Sequence, residues 1–261
     1  MNSNVLQDIL VERPAPAVGL VRIHRPDKRN ALSVGLRGRL VEALQTLDAD
    51  EDVRAIVIAG GEKVFASGAD LTEIADASAI DMMLRATERL WGAIARIGTP
   101  MIAAVRGIAF GGGFELALHA DLIVAGESAR LGLPEVKVGL LPGAGGTQRL
   151  LRLIGRHHTL MLLLTGDALS AREAFDRGVV NRVVADESVE PEAVALAQRL
   201  TSMPPLAVRQ IREVVSAGAD CPLEAALMIE RKALQLLCAS DDKREGIRAL
   251  LEKRQPHFTG R

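Results

Sequence analysis

Apolar runs of five to seven residues alternate with longer segments of helical spacing through the first two thirds of the chain. Val18–Ile23 predicts a strand, and Ser33–Leu47 a helix with Ser33 as its N-cap. Val53–Ala59 reads as a second apolar strand, ended by Gly60-Gly61. Ile80–Ile97 carries Leu84, Leu90, Ile94 and Ile97 at helical intervals, and Met101–Val105 reads as a buried strand closed by Gly107. Asp121–Ala125 is a further strand. Such alternation predicts a layered α/β architecture. Order alone does not separate a doubly wound sheet from a superhelix of β-β-α turns.

From about Leu150 helical periods take over, through Leu160–Leu164, Ala171–Phe175, Val189–Leu200, Leu206–Val215 and Leu223–Leu237. Only Val179–Val184 in this part predicts a strand. Pro204-Pro205 and Cys221-Pro222 break one helix from the next. The expected division is a core over 1–200 and a helical C-terminal region over 201–261. The latter would cover a sheet or form an oligomer interface.

Composition narrows the function. The 32 Lys and Arg nearly cancel the 33 Asp and Glu, for a formal net charge of -1, so no basic footprint marks a nucleic-acid or anionic-membrane partner. Aromatic residues make up 2%, with no Tyr, which removes the stacking platforms that single-stranded bases need. Cys221 and Cys238 form neither a CxxC pair nor a disulfide framework. Met1–Val18 shows no signal or transit pattern and no apolar run is long enough to span a membrane, so a cytoplasmic location is expected.

The segment from Ile102 to Leu122 holds the candidate chemistry. An apolar strand leads into Gly111-Gly112-Gly113 and then a short helix. Consecutive glycines let backbone N–H groups approach a ligand at a helix start, where developing negative charge is stabilised. A tight packing turn reads equally well from the same residues. The run matches neither GxxxxGK[ST] nor GxGxxG, so a thioester oxyanion fits better than a phosphate. Glu115 falls in the first turn of that helix, where it could simply complement the helix start. Its neighbours Phe114, Leu116, Ala117 and Leu118 are all apolar, which points to burial, a raised pKa and proton transfer. Glu135 lies 20 residues on, beyond a strand and a turn that can return it to Glu115. It could also be a solvated loop residue. Two carboxylates sharing a low-dielectric pocket titrate as a coupled pair able to hold one water as base and acid.

With these residues in place, the chain resembles the enoyl-CoA hydratase/isomerase (crotonase) superfamily, most of all the enoyl-CoA hydratases. The resemblance runs through Ile23–Leu32 (IHRPDKRNAL), Phe65–Asp70 (FASGAD), the glycine segment, Leu133-Pro-Glu135 and Leu141–Arg149 (LPGAGGTQR) to Glu252–Phe258 (EKRQPHF). It implies a superhelix of β-β-α turns with a helical C-terminal region that forms trimers or hexamers. It implies a hydratase that adds water across the double bond of a 2-enoyl-CoA thioester, as in fatty-acid β-oxidation, with Glu115 and Glu135 catalytic. An oxyanion hole would use the backbone N–H groups of Ser67 and Gly112. Substrate would also touch Ala66, Gly68, Ala69, Asp70, Gly111, Gly143, Arg25 and Lys28. No metal and no cofactor beyond the substrate's own coenzyme A are implied. Two departures, Leu133 and Phe114, bear on acyl fit. A double-bond isomerase, a hydratase of a branched or aromatic-pathway acyl-CoA, and an idle trimeric scaffold are the alternative readings.

Among the remaining signals, His119 reads as a packing residue on an apolar helix. His157-His158 lacks a third ligand at metal spacing. Asp70 could cap the turn at Leu71 or meet a ligand. Arg25, Lys28 and Arg29 could meet coenzyme A phosphates, while Lys253 and Phe258 could reach a neighbouring subunit's nucleotide site.

Overall fold

The computed structural model describes residues 8–261, so the first seven residues of the leader-free stretch expected over Met1–Val18 lie outside it. In chain order, β1 (Ile9–Ala15) and β2 (Val18–Ile23) form a hairpin, followed by α1 (Val34–Asp48), β3 (Ala55–Ala59) and β4 (Val64–Ala66). Next come α2 (Ala79–Leu84), α3 (Thr87–Ala95), β5 (Met101–Val105), β6 (Ile108–Phe110) and α4 (Gly112–Ala117). β7 (Leu122–Gly126), β8 (Arg130–Gly132), α5 (Gly146–Thr165), β9 (Ala168–Ser170), α6 (Ala171–Asp176) and β10 (Arg182–Val184) complete the layered part. Four helices close the chain: α7 (Val189–Thr201), α8 (Pro205–Gly218), α9 (Leu223–Leu237) and α10 (Asp241–Leu251).

The strands fall into a six-stranded sheet, β1-β2-β3-β5-β7-β10, and a four-stranded one, β4-β6-β8-β9. β1 is antiparallel to β2 and β9 to β8, and every other pairing is parallel. The chain visits the large sheet and then the small one before each helical return: β3 then β4, β5 then β6, β7 then β8. That rhythm is the expected superhelix of β-β-α turns.

The large sheet is buried on both faces, which is why its central strands are continuously apolar. Ile56 and Ile58 of β3 join a core with Leu36, Leu40 and Leu44 of α1, while Ala55, Val57 and Ala59 face Val189, Ala193 and Ala197 of α7. Ser33 caps α1 as expected, its side chain accepting from the Leu36 N–H.

Several expectations shift. The helix expected over Ile80–Ile97 is two helices, broken where Ala86 takes a left-handed conformation at φ 47°. The strand expected from Val53 starts at Ala55, because Val53 N–H closes a turn on Asp50 O. Of Val179–Val184 only Arg182–Val184 is strand; Val179 and Val180 turn into the core. β1 and the three-residue strands β4, β6, β8 and β9 are additions. Three residues are too few to show an alternating pattern, and their pairing comes from neighbours distant in sequence.

Candidate active site

Two backbone segments meet at the mouth of the glycine run. β6 ends at Phe110, and Gly111 then adopts φ 51°, ψ -128°, a conformation open to glycine alone among common residues. α4 begins at Gly112 and packs hard on β4: a Cβ on Gly113 would stand 2.2 Å from the Ala66 carbonyl oxygen. This contact draws residues 67–70, which leave β4, against Gly111 and Gly112. A Cβ on Gly68 would lie 3.7 Å from the Gly112 nitrogen, and one on Gly112 would lie 3.8 Å from the Ala69 nitrogen. Neither the Ala69 nor the Gly112 N–H has an acceptor among the described residues. Both line a cavity of about 950 Å³.

The sequence expectation placed one of these donors at Ser67. Ser67 lines the cavity, but its N–H is committed to the Arg29 carbonyl at 3.2 Å. The free donor is Ala69, two residues on. Ala66 is likewise a strand residue with no exposure, packed under α4 rather than lining the cavity. Arg25 is turned to structural use: its guanidinium donates to Ala31 O (3.2 Å) and pairs with Asp70 Oδ2 (3.3 Å), bracing two loops, and it does not line the cavity. Asp70 does line it, and also caps the turn at Leu71 by accepting from Thr72 N–H. The hydroxyl and N–H of Thr72, with Arg25, hold the Asp70 carboxyl below its ordinary pKa. Lys28, Gly68, Gly111 and Gly143 line the cavity.

Both glutamates open onto this space. Glu115 is 3% exposed, and its carboxylate does not cap its own helix. Oε1 instead accepts from the N–H groups of Ala144 (2.7 Å) and Gly146 (2.8 Å), the second being the first residue of α5. Burial pushes the Glu115 pKa up, against the pull of these two bonds and of the Arg149 and Arg37 charges. Glu135 sits on the 3-10 turn Pro134–Val138, half-buried. Burial, reinforced by the Glu115 charge, pushes its pKa up to about 7. Its Oε2 is buried with no partner, and a Cβ on Gly111 would stand 2.8 Å from its Oε1. The bare Gly111 backbone is the floor under Glu135.

His119 packs as expected, with Nδ1 2.8 Å from Glu115 O and its ring stacked 5.4 Å from Trp91; burial lowers its pKa to about 4. No group of three His, Cys, Asp or Glu residues among those described could hold a metal ion. Sequence reasoning missed Ala144 and Gly146, the donors to Glu115, and the cavity-lining Arg37, Arg85 and Trp91. The Gly143–Gly146 run was visible in the sequence. What it binds lies 31 residues earlier and became visible only in three dimensions.

Comparison with known proteins identifies the family. The family model described as enoyl-CoA hydratase/isomerase matches residues 14–261. A probable enoyl-CoA hydratase of Mycobacterium leprae (strain TN) is 42% identical over 244 residues, covering 94% of this chain and 95% of the relative. The 2,3-dehydroadipyl-CoA hydratase of Escherichia coli (strain K12) is 38% identical over 256 residues, covering 98% of this chain and 100% of the relative. A crystal structure of an enoyl-CoA hydratase subunit from Geobacillus kaustophilus HTA426 superposes with a TM-score of 0.95 at 46% identity, over 97% of this chain and 98% of that one. With its β-β-α superhelix, its two glutamates on one cavity and a match along nearly its whole length, the chain belongs to the enoyl-CoA hydratase/isomerase family of enzymes.

Proposed function

We propose that this enzyme is a 2-enoyl-CoA hydratase, adding water across the 2,3 double bond to give a 3-hydroxyacyl-CoA. The observation that carries the reading is the pair of carboxyl groups, Glu115 and Glu135, raised in pKa on one cavity beside two unpaired backbone donors.

The thioester oxygen sits between Ala69 N–H and Gly112 N–H. Glu115, fixed by its two backbone bonds, holds the water and takes one of its protons as the oxygen bonds to C3. Electrons of the double bond move to the thioester oxygen, where each donor lowers the barrier by about 3–4 kcal/mol. Glu135, with a pKa of about 7, delivers its proton to C2. Proton exchange between the two carboxyls through solvent restores the starting state. Atoms balance with water as the only other reactant, so the reaction as written calls for no cofactor.

The reading extends to a place in fatty-acid or related acyl-CoA degradation, in the cytoplasm. It also makes residues 201–261 the contact surface of a homotrimer or homohexamer. Exposed apolar side chains on the last helices, among them Ile211, Val215, Leu234 and Leu250, support that assembly. The decisive experiment follows the conjugated enoyl-thioester absorbance with product chromatography. Loss of absorbance with a 3-hydroxyacyl-CoA product is expected. A shifted double bond with no hydroxylated product would replace hydration by isomerisation.

A further inference from the structure

Beside Lys28 and Lys137, the cavity carries two arginines that the hydration chemistry leaves unused. Arg37, on α1, and Arg85, at the end of α2, both line it, and both are half-buried. Neither forms an ion pair with any described residue, unlike Arg22, which pairs with Glu190 (2.8 Å), and Arg212, which pairs with Asp121 (2.7 Å). The Arg37 Nε reaches only the Ser33 carbonyl, at 3.5 Å, and Arg85 Nη1 only the Met82 sulfur, at 3.7 Å. The charged neighbours of Arg37 are Glu73, Arg85 and Glu115. Glu73 accepts from Val34 N–H (2.9 Å), and Glu115 is held by its own two donors. Asp81 is likewise a charged neighbour of Arg85, without a contact pair. Two guanidinium groups partly removed from water, repelling one another and lacking a hydrogen-bonded counter-charge, are favoured by an anion that joins them.

Their position says which anion. Arg37 lies 6.0 Å over the Trp91 ring, and Trp91 Cζ2 is 3.8 Å from where a Cβ on Gly112 would be. The Arg37–Trp91 pair therefore adjoins the donors for the thioester oxygen, in a cavity that Leu32 and Met82 also line. A planar guanidinium presents a fork that a carboxylate can meet with both oxygens.

We propose that this chain selects 2-enoyl-CoA thioesters whose acyl group ends in a carboxylate, with Arg37 as its guanidinium partner and Arg85 as a second cation. The inference rests on the hydratase reading. Substrates and products of the step would then be half-thioesters of dicarboxylic acids.

Two measurements test it. In the first, kcat/KM is compared for a six-carbon 2-enoyl-CoA with a terminal carboxylate and for its uncharged counterpart. The carboxylated substrate is expected to lead by about 10- to 100-fold, the range of one charge-assisted hydrogen-bonded pair. Arg37→Met should reduce that ratio by a similar factor, mostly through KM, and Arg37→Lys should restore part of it. Arg85→Met should reduce it less. Equal constants for the two substrates in the wild-type enzyme would overturn the proposal. So would an Arg37→Met loss that is the same for both substrates and comes with a displaced pH profile, since that marks Arg37 as a partner of Glu115 alone. In the second, calorimetry compares saturated adipyl-CoA with hexanoyl-CoA on the wild-type protein, which requires neither turnover nor a folded variant. Tighter binding of adipyl-CoA by about 10-fold or more is expected, and equal affinity would sink the idea. If nothing is hydrated yet adipyl-CoA binds preferentially, the hydratase reading fails while the selectivity stands.

Discussion

Glu115 and Glu135 reach one cavity on different kinds of support. Glu115 projects from the first turn of α4, almost without exposure, and two backbone N–H groups fix one of its oxygens. Glu135 rides a 3-10 turn, half-buried, with one carboxyl oxygen lacking any partner. Burial raises both pKa values, but only at Glu115 do backbone donors pull back toward the charged form with two bonds from another segment. The same side chain therefore meets a stronger pull toward its charged form at position 115 than at position 135. On the proposed reading, that asymmetry divides the labour of a base and an acid between chemically identical groups.

The most drastic way to break the comparison is to remove either titrating group. Glu115→Gln and Glu135→Gln should each lower kcat by about 10²–10⁴, the usual worth of a positioned acid or base. Steady-state kinetics on protein with unchanged circular dichroism checks this, and full activity in either variant would refute the assigned roles.

A subtler break works through the glycines. Gly111→Ala would place a methyl 2.8 Å from Glu135 Oε1 on a backbone at φ 51°. Gly146→Ala would place one 3.0 Å from Glu115 Oε1 and 2.8 Å from Leu133 Cδ1. Each should cost about 10-fold to 100-fold in kcat by displacing the carboxyl it supports, as misplacement of about an ångström does. A crystal structure of each variant would show which glutamate moved.

The pH dependence sharpens the contrast without mutation. Glu135 must hold its proton, so kcat/KM should fall as pH rises through about 7. Glu115 must be ionised, and because burial raises its pKa the acid limb should lie above the ordinary carboxylate range. In Glu115→Gln the neighbouring charge is gone, so the Glu135 pKa should drop, which infrared titration of the carboxyl band would read. The smallest expected effect lies away from the site. Ser33→Ala removes the N-cap of α1 and should cost about 1 kcal/mol in chemical denaturation, with kcat nearly unchanged.

Much of this was legible before any coordinates. Val18–Ile23 and Met101–Val105 are strands at the residues their apolar runs mark, and Gly111, Gly112 and both glutamates line one cavity. What stayed hidden depends on contacts between distant segments. Whether Ser67 or Ala69 offers a free N–H is decided by the Arg29 carbonyl, which no local pattern reveals. Arg25 was given a ligand role that Asp70 absorbs instead. Arg37 stands four residues past a helix cap, and neither its missing ion-pair partner nor Trp91 beneath it can be read along the chain. Ala86 broke a helix whose apolar spacing runs straight through it.

Trp91 has a practical consequence of its own. It is the sole tryptophan of a protein with no tyrosine, and it lines the candidate cavity between Arg37 and His119. Its emission is therefore a built-in optical gauge of what enters that space, free of background from other strong fluorophores. Occupancy by a thioester, and the arrival of a charge beside Arg37, can be followed on the unlabelled protein in a cuvette.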